Sequence, residues 1–168
     1  VGLAAIQIAN FVGAYPIALT RSDKKRQELL DAKAYAVVAT QDANGNDVDI
    51  TTQVNEITKG QGVSIVLDPV GGPLVAKIMA TMAYKGRYYQ FGGLDARDVV
   101  IPIYTLLIKH LVFATYQLFD VTLDDNKLPK AIEFIRQGIE NGAFTPVIDR
   151  IFDFEDVVKA HEYIESNA

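Results

Sequence analysis

Short apolar runs alternate along the chain with stretches of helical period. Residues 1–13 read as a helix in which Leu3, Ile6 and Ile8 sit among small alanines and Gly13 takes the C-cap. Residues 15–20 form a short apolar strand, residues 23–32 a polar helix with Leu29 and Leu30 inward, and residues 34–39 the next buried strand. A polar loop follows, and residues 48–58 then place Ile50, Val54 and Ile57 at helical spacing. The clearest strand is 63–67, β-branched and apolar, running into Asp68-Pro69-Val70-Gly71-Gly72. A helix through Met82 and a strand over 86–91 come next, and that strand also ends in a glycine pair, Gly92-Gly93. Strand and helix alternate without hairpin signals, which predicts an α/β fold with a doubly wound parallel sheet covered on both faces.

The last third has a different rhythm. Residues 99–119 are the longest apolar tract, but Pro102, Lys109, His110 and Gln117 interrupt it, so it reads as a short helix and a buried strand, not a membrane span. Leu128, Ala131, Ile132, Ile135 and Ile139 mark one face of a helix that stops at Asn141-Gly142. Residues 147–152 are expected to be a strand, and Asp153 to cap a final amphipathic helix carrying Phe154, Val157, Val158, His161 and Ile164. Both His110 and His161 read as packing residues.

Charge narrows the functional classes. The 168 residues carry a formal net charge of −5, which argues against a nucleic-acid surface, and with no cysteine there is neither a disulfide framework nor a thiolate metal site. That composition fits a reducing, cytoplasmic compartment. The two histidines lie far apart, so no metal site is expected within the chain.

Against this acidic background one basic cluster stands out. Arg21, Lys24, Lys25 and Arg26 surround Ser22 where an apolar run gives way to a helix start. Cations there oppose the helix dipole unless an anion offsets them, so the junction reads as a phosphate site; the alternative is an N-cap serine on a solvated face. In open parallel sheets ligands bind beyond the carboxyl ends of the strands, which aligns three junctions on one edge: Thr20-Arg21-Ser22, Asp68 to Gly72, and Phe91-Gly92-Gly93. A sheet that binds NAD usually places an acid at the end of its second strand, whereas an arginine there accommodates a 2′-phosphate. Here Thr20, Arg21 and Ser22 stand at that point, which predicts NADP and weakens a methyltransferase reading.

Taken in order, these segments resemble the medium-chain dehydrogenase/reductase superfamily in its zinc-type alcohol dehydrogenase-like and quinone oxidoreductase-like branches. The resemblance covers nearly the whole chain. Residues 1–7 resemble the end of that family's glycine-rich turn and its first helix; Thr20-Arg21-Ser22 with Lys25 match a Ser-x-x-Lys pattern associated with NADP. Asp68 with Val70-Gly71-Gly72, Phe91-Gly92-Gly93, and Pro146-Val147-Ile148-Asp149 with Phe152 and Ala160-His161 match later turns and a return segment. The departures are also specific. The glycine fingerprint survives only as Val1-Gly2, and the strand before it is not in the chain, so an open slot is expected between the second and fourth strands of the 3-2-1-4-5-6 order. The chain therefore reads as a part of a longer enzyme, without the family's N-terminal catalytic domain. Lys33 replaces a helix-ending glycine, at a cost of up to about 1 kcal/mol if it is forced to αL.

The resemblance implies an NADP-dependent oxidoreductase that moves a hydride to or from an alcohol, carbonyl, enone or quinone. It assigns Arg21, Ser22 and Lys25 to the 2′-phosphate, Gly2 to the pyrophosphate, and Asp68, Val70, Gly71, Phe91 and Gly92 to the dinucleotide groove. It implies a dinucleotide-binding domain over 1–145 and a return segment over 146–168 that would pack on the catalytic domain. A small-molecule substrate and a homodimer, paired through the strand between Leu111 and Tyr116, complete the expectation. No catalytic residue is assigned, and zinc is left to the domain outside the chain. A non-catalytic NADP-binding or dimerisation module is the alternative.

Overall fold

The computed structural model describes residues 1–166. Helix α1 (Gly2–Phe11) leads through Gly13, at φ +78°, to strand β1 (Ile17–Thr20). A 3-10 turn (Asp23–Lys25) and helix α2 (Arg26–Asp31) precede β2 (Ala36–Ala39). Then come α3 (Ile50–Thr58), β3 (Val63–Asp68), α4 (Leu74–Ala80), β4 (Met82–Gln90), α5 (Ile103–Lys109) and β5 (Val112–Thr115). Helices α6 (Phe119–Thr122), α7 (Leu128–Glu140) and α8 (Val157–Glu165) close the described chain.

All strand pairs within the two sheets are parallel, as the alternation predicts. The two-stranded sheet β1-β2 and the three-stranded sheet β3-β4-β5 share no ladder, so the expected slot is present. One face of β3 is uncovered, where both faces were expected to be covered: Ile65 is 60% and Leu67 47% exposed on the same side of the strand. Packing holds the halves together. Val38 of β2 is buried with Ile50 and Val54 of α3, and Ile17, Val63, Leu74 and Ile78 pack around them, so one cluster draws on both sheets. On its own half, α1 inserts Ile6 against Ala34 and Val37.

A second core fills the three-stranded sheet from the α4 and α5 side, with Val75, Met79, Met82 and Tyr88 fully or almost fully buried. At its centre Tyr88 donates its hydroxyl to Asp68 Oδ2 at 2.5 Å, while its ring lies 5.3 Å from that of Phe113. Burial, reinforced by the Asp68 bond, pushes the Tyr88 hydroxyl pKa upward.

Several expectations are corrected. The helix expected through Met82 ends at Ala80, where Lys109 Nζ donates to the carbonyls of Ala80 and Met82 at 2.7 Å each; Met82 instead opens β4, pairing with Val63. Leu30 faces solvent because α2 is too short to bury more than the Leu29 side of its surface. The expected strand over 147–152 is irregular, with no ladder to join, and β5 is only half-buried. On α7 the isoleucines 132, 135 and 139 are exposed; Phe134 and Gly138 pack instead, against Phe11 and Phe144. Asp153 stands ahead of a 3-10 turn (Phe154–Asp156) without a side-chain capping bond, and His161 is exposed. His110 is also exposed, in the αL C-cap of α5 with its ring 5.0 Å from that of Tyr84.

Two stability measurements follow. Lys33 adopts φ +67°, so Lys33→Gly is expected to stabilise the chain by up to about 1 kcal/mol in urea unfolding. Tyr88→Phe removes the donor from a buried carboxylate and is expected to cost about 1–3 kcal/mol. The raised phenol pKa sets the sign of the pH effect: its contribution is complete below the ordinary value of 10.0 and is lost as pH rises above it, because only the unfolded chain ionises there. The variant should lack that alkaline loss.

Candidate functional site

The first junction is built on main-chain bonds from the neighbouring strand. Thr40 N–H donates to Thr20 O at 2.9 Å, and Gln41 N–H to Arg21 O at 2.9 Å, with the Thr40 hydroxyl on the same Arg21 oxygen at 3.3 Å. The backbone at Arg21 is thereby fixed while its side chain projects into solvent. Ser22 is extended, with φ −143° and ψ 169°, and its hydroxyl makes no capping bond. Among the described residues, the exposed side chains of Arg21, Lys24 and Lys25 have no hydrogen-bond or ion-pair partner. Arg26 differs from them. Its Nε and Nη2 donate to Asp23 Oδ1 at 3.0 and 2.7 Å, and Nη1 to Val37 O at 2.8 Å, so the fourth cation of the cluster is structural. The helix-dipole argument is corrected too: the junction opens on a three-residue 3-10 turn, too short for an appreciable macrodipole, so the field there comes from the side chains.

The other two junctions are laced into one unit. Asp68, 6% exposed, accepts from Val70 N–H at 2.7 Å and from Gly71 N–H at 3.1 and 3.2 Å, as well as from Tyr88. Its oxygens are engaged inward, so it shapes the turn and does not face a groove. Phe91 N–H then donates to Asp68 O at 3.0 Å, Leu94 N–H to Pro69 O at 3.3 Å and Asp95 N–H to Val70 O at 2.9 Å. A Cβ on Gly92 would come within 2.5 Å of Pro69 O, so this crossing requires glycine. Gly71, at φ +76°, lies against Gln90, whose Nε2 donates to Gly92 O at 2.5 Å while its buried Oε1 has no partner. Val70 is exposed, and Phe91 stacks on Tyr116 with ring centroids 5.4 Å apart. Beside the turn the Asp95 carboxylate rests on Gly72, and hydrogen bonds from Arg97 hold its pKa down to about 2.

The structure thus brings Asp68, Val70, Gly71, Phe91 and Gly92 together. Arg21, Ser22 and Lys25 sit on the other half-sheet, and Gly2 stands apart at the head of α1, where a Cβ would meet nothing within 4 Å. Tyr88, Gln90, Asp95 and Tyr116 were not anticipated. Tyr88 and Gln90 could have been found, since they alternate on one face of a strand whose register sets Val66 beside Tyr88 and Asp68 beside Gln90. Two hollows lie away from the strand ends, one at the head of α3 beside the Lys77–Asp47 ion pair and one between residues 147–152 and α8. Among the described residues no three His, Asp or Glu side chains converge as metal ligands, and no helix is long and apolar enough to cross a membrane.

Comparison with known proteins places this geometry. The chain is 26% identical over 169 residues to quinone oxidoreductase-like protein 2 of Bos taurus, covering 97% of this chain and 46% of that protein. It is 27% identical over 148 residues to a highly reducing polyketide synthase of Emericella nidulans, covering 88% of this chain and 6% of the synthase. Among solved structures, the Escherichia coli quinone oxidoreductase complexed with NADPH superposes with a TM-score of 0.77 at 25% identity, over 99% of this chain and 51% of that one. The chain thus spans about half the length of the quinone oxidoreductase-like relative and a small part of the synthase. The family model described as zinc-binding dehydrogenase matches residues 1–137, and the chain accordingly belongs to the zinc-binding dehydrogenase family of the medium-chain dehydrogenase/reductase superfamily.

Proposed function

We propose that this chain is the cofactor-binding part of an NADP(H)-dependent oxidoreductase acting on an alcohol, carbonyl, enone or quinone. One observation carries the reading. At the carboxyl end of β1, where an acid would accept from a ribose 2′-hydroxyl, there is a fixed backbone bearing Arg21, a free Ser22 hydroxyl and the unpartnered Lys25. The nearest acid in sequence, Asp23, is already neutralised by Arg26. These groups fit a 2′-phosphate, which prefers charge-assisted donors. Gly2 fits close approach by a pyrophosphate, since nothing in the fold requires glycine there. The groove for the rest of the dinucleotide would run along Val70, Gly71, Phe91 and Gly92, with Asp68 acting through the turn it holds.

When bound, the nicotinamide supplies the hydride, and this chain's residues bind and orient it. Among the described residues no group of three or more His, Asp or Glu side chains could hold a zinc ion, so no step through a metal is assigned to them. Residues 1–145 form the dinucleotide-binding part in this reading, tied off where Gln7 exchanges two hydrogen bonds with Thr145 at 2.9 and 3.0 Å. Residues 146–168, of which the last two lie outside the described residues, would cover themselves against a catalytic domain; Phe154, 88% exposed, supports that. In this reading the compartment is the cytoplasm, with which the cysteine-free composition is compatible. A second reading, an NADP-binding or dimerisation module without turnover, is favoured by the free edge of β5, which pairs with β4 on one side and, among the described residues, with no strand on the other, and where Val112 is exposed.

Calorimetric titration of the full chain is expected to show NADPH binding at least about tenfold tighter than NADH, about 1.4 kcal/mol, with the preference lost in Arg21→Ala/Lys25→Ala. Equal binding of the two cofactors, or none, removes the phosphate-site reading. Pairing through β5 predicts a dimer in sedimentation velocity that Val112→Lys converts to monomer without changing NADPH affinity.

A further inference from the structure

The chain contains two Asn-Gly steps, Asn44-Gly45 and Asn141-Gly142, and the structure treats them differently. Asn141 closes α7: its Oδ1 accepts from Ala143 N–H at 3.1 Å, its own N–H donates to Gln137 O at 3.1 Å, and Gly142 N–H donates to Ile139 O at 3.0 Å. Both the side chain and the following amide are engaged in the helix cap. Asn44 is at the exposed tip of the loop between β2 and α3. That loop is a turn organised by Asp42, whose Oδ1 accepts from Asn44 N–H at 2.8 Å and Asn46 N–H at 2.9 Å, closed by the single bridge between Gln41 and Asp47. The Asn44 side-chain amide has no partner among the described residues, and a Cβ at Gly45 would meet nothing within 4 Å. Gly45 N–H donates to Asp42 O at 3.1 Å much as Gly142 N–H does to Ile139 O, so the two steps differ in the asparagine side chain, held at position 141 and unheld at the exposed tip.

We propose that Asn44 is a site of spontaneous deamidation in the folded protein, and that Asn141 is protected by the α7 cap. The Gly45 nitrogen attacks Asn44 Cγ, forming an N–Cγ bond; the Cγ–Nδ2 bond breaks, and Nδ2 leaves as ammonia, its third proton balanced by the one lost from the Gly45 amide. Water then opens the cyclic imide at either carbonyl, giving aspartate or isoaspartate at position 44. No oxidant or reductant is involved. The nucleophile is the deprotonated amide, so the rate rises with pH. The product puts a further negative charge in a loop that already holds Asp42, Asp47 and Asp49, and the isoaspartyl form lengthens the backbone of a turn closed by one bridge and tied to α4 by the Lys77–Asp47 ion pair. This inference is independent of the cofactor reading.

The test is ageing of the folded full chain at neutral and mildly alkaline pH, with peptide mapping by mass spectrometry and methyl-transfer labelling of isoaspartate. The expected result is a more acidic species mapping to residue 44, in both product forms, appearing faster at higher pH and absent from Asn44→Gln. Asn141 should lag by about tenfold or more, the retention of one cap hydrogen bond, and should catch up when the chain is unfolded in urea. If Asn44 persists in the folded chain while reacting in urea, or if Asn141 keeps pace with it in the folded chain, the proposal is overturned.

Discussion

The Asp68 carboxylate is the constraint on which the strand-end architecture rests. It lies at the end of β3, buried, and receives donors from three directions: the amides of Val70 and Gly71, and the hydroxyl of Tyr88. A carboxylate buried without donors would be costly, and each donor that satisfies it also fixes a structural element. The two amides force the chain into the turn that precedes α4, which needs positive φ at Gly71 and Gly72. The phenol ties β4 to β3 from below. With that turn fixed, the carbonyls of Asp68, Pro69 and Val70 point at the next junction and accept from Phe91, Leu94 and Asp95. The requirement for glycine at position 92 is thus a remote consequence of how Asp68 is satisfied.

The same logic explains why the molecule holds together with its strands divided into two ladders. A parallel sheet ordinarily transmits order through hydrogen bonds from strand to strand. Here β1 and β3 share none, and the halves communicate through α3, whose Ile50 and Val54 meet side chains of β1, β2, β3 and α4 in one cluster. Apolar contact is non-directional and tolerates a gap in the ladder in a way that hydrogen bonding does not.

Sequence reasoning reached the parallel α/β class and the first five strands because those follow from period and from glycine-marked turns, and the slot because the resemblance implies a strand order whose central member is not in the chain. It was least secure where a residue's fate depends on what it meets. Residues 147–152 have strand composition, but a strand is a pairing, and no ladder is there to be joined. Ile132, Ile135 and Ile139 form a regular helical stripe, yet the face that packs is the one where Gly138 lets the Phe144 ring sit on the backbone of α7. Asp68 was recognised as important from the motif around it, but its direction was not: a carboxylate next to two glycines can face a ligand or its own turn, and Tyr88, twenty residues on, decides which.

The basic junction after β1 shows how a local charge pattern acquires meaning from its surroundings. Four cations within six residues read as one cluster, but Arg26 is drawn back by Asp23 and by the carbonyl of Val37, an arrangement that uses its planar fork to fasten α2 to β2. Removing Arg26 from the cluster also removes Asp23, the acid that would otherwise repel an anion. What remains is Arg21 on a backbone held from Thr40 and Gln41, a serine with its hydroxyl unspent, and Lys24 and Lys25 in solvent. The chain carries a net charge of −5, so this positive island is set against an overall field that would drive an anion away. In the proposed reading, unpaired cations on a fixed backbone keep their charge available to a phosphate without first breaking an internal ion pair.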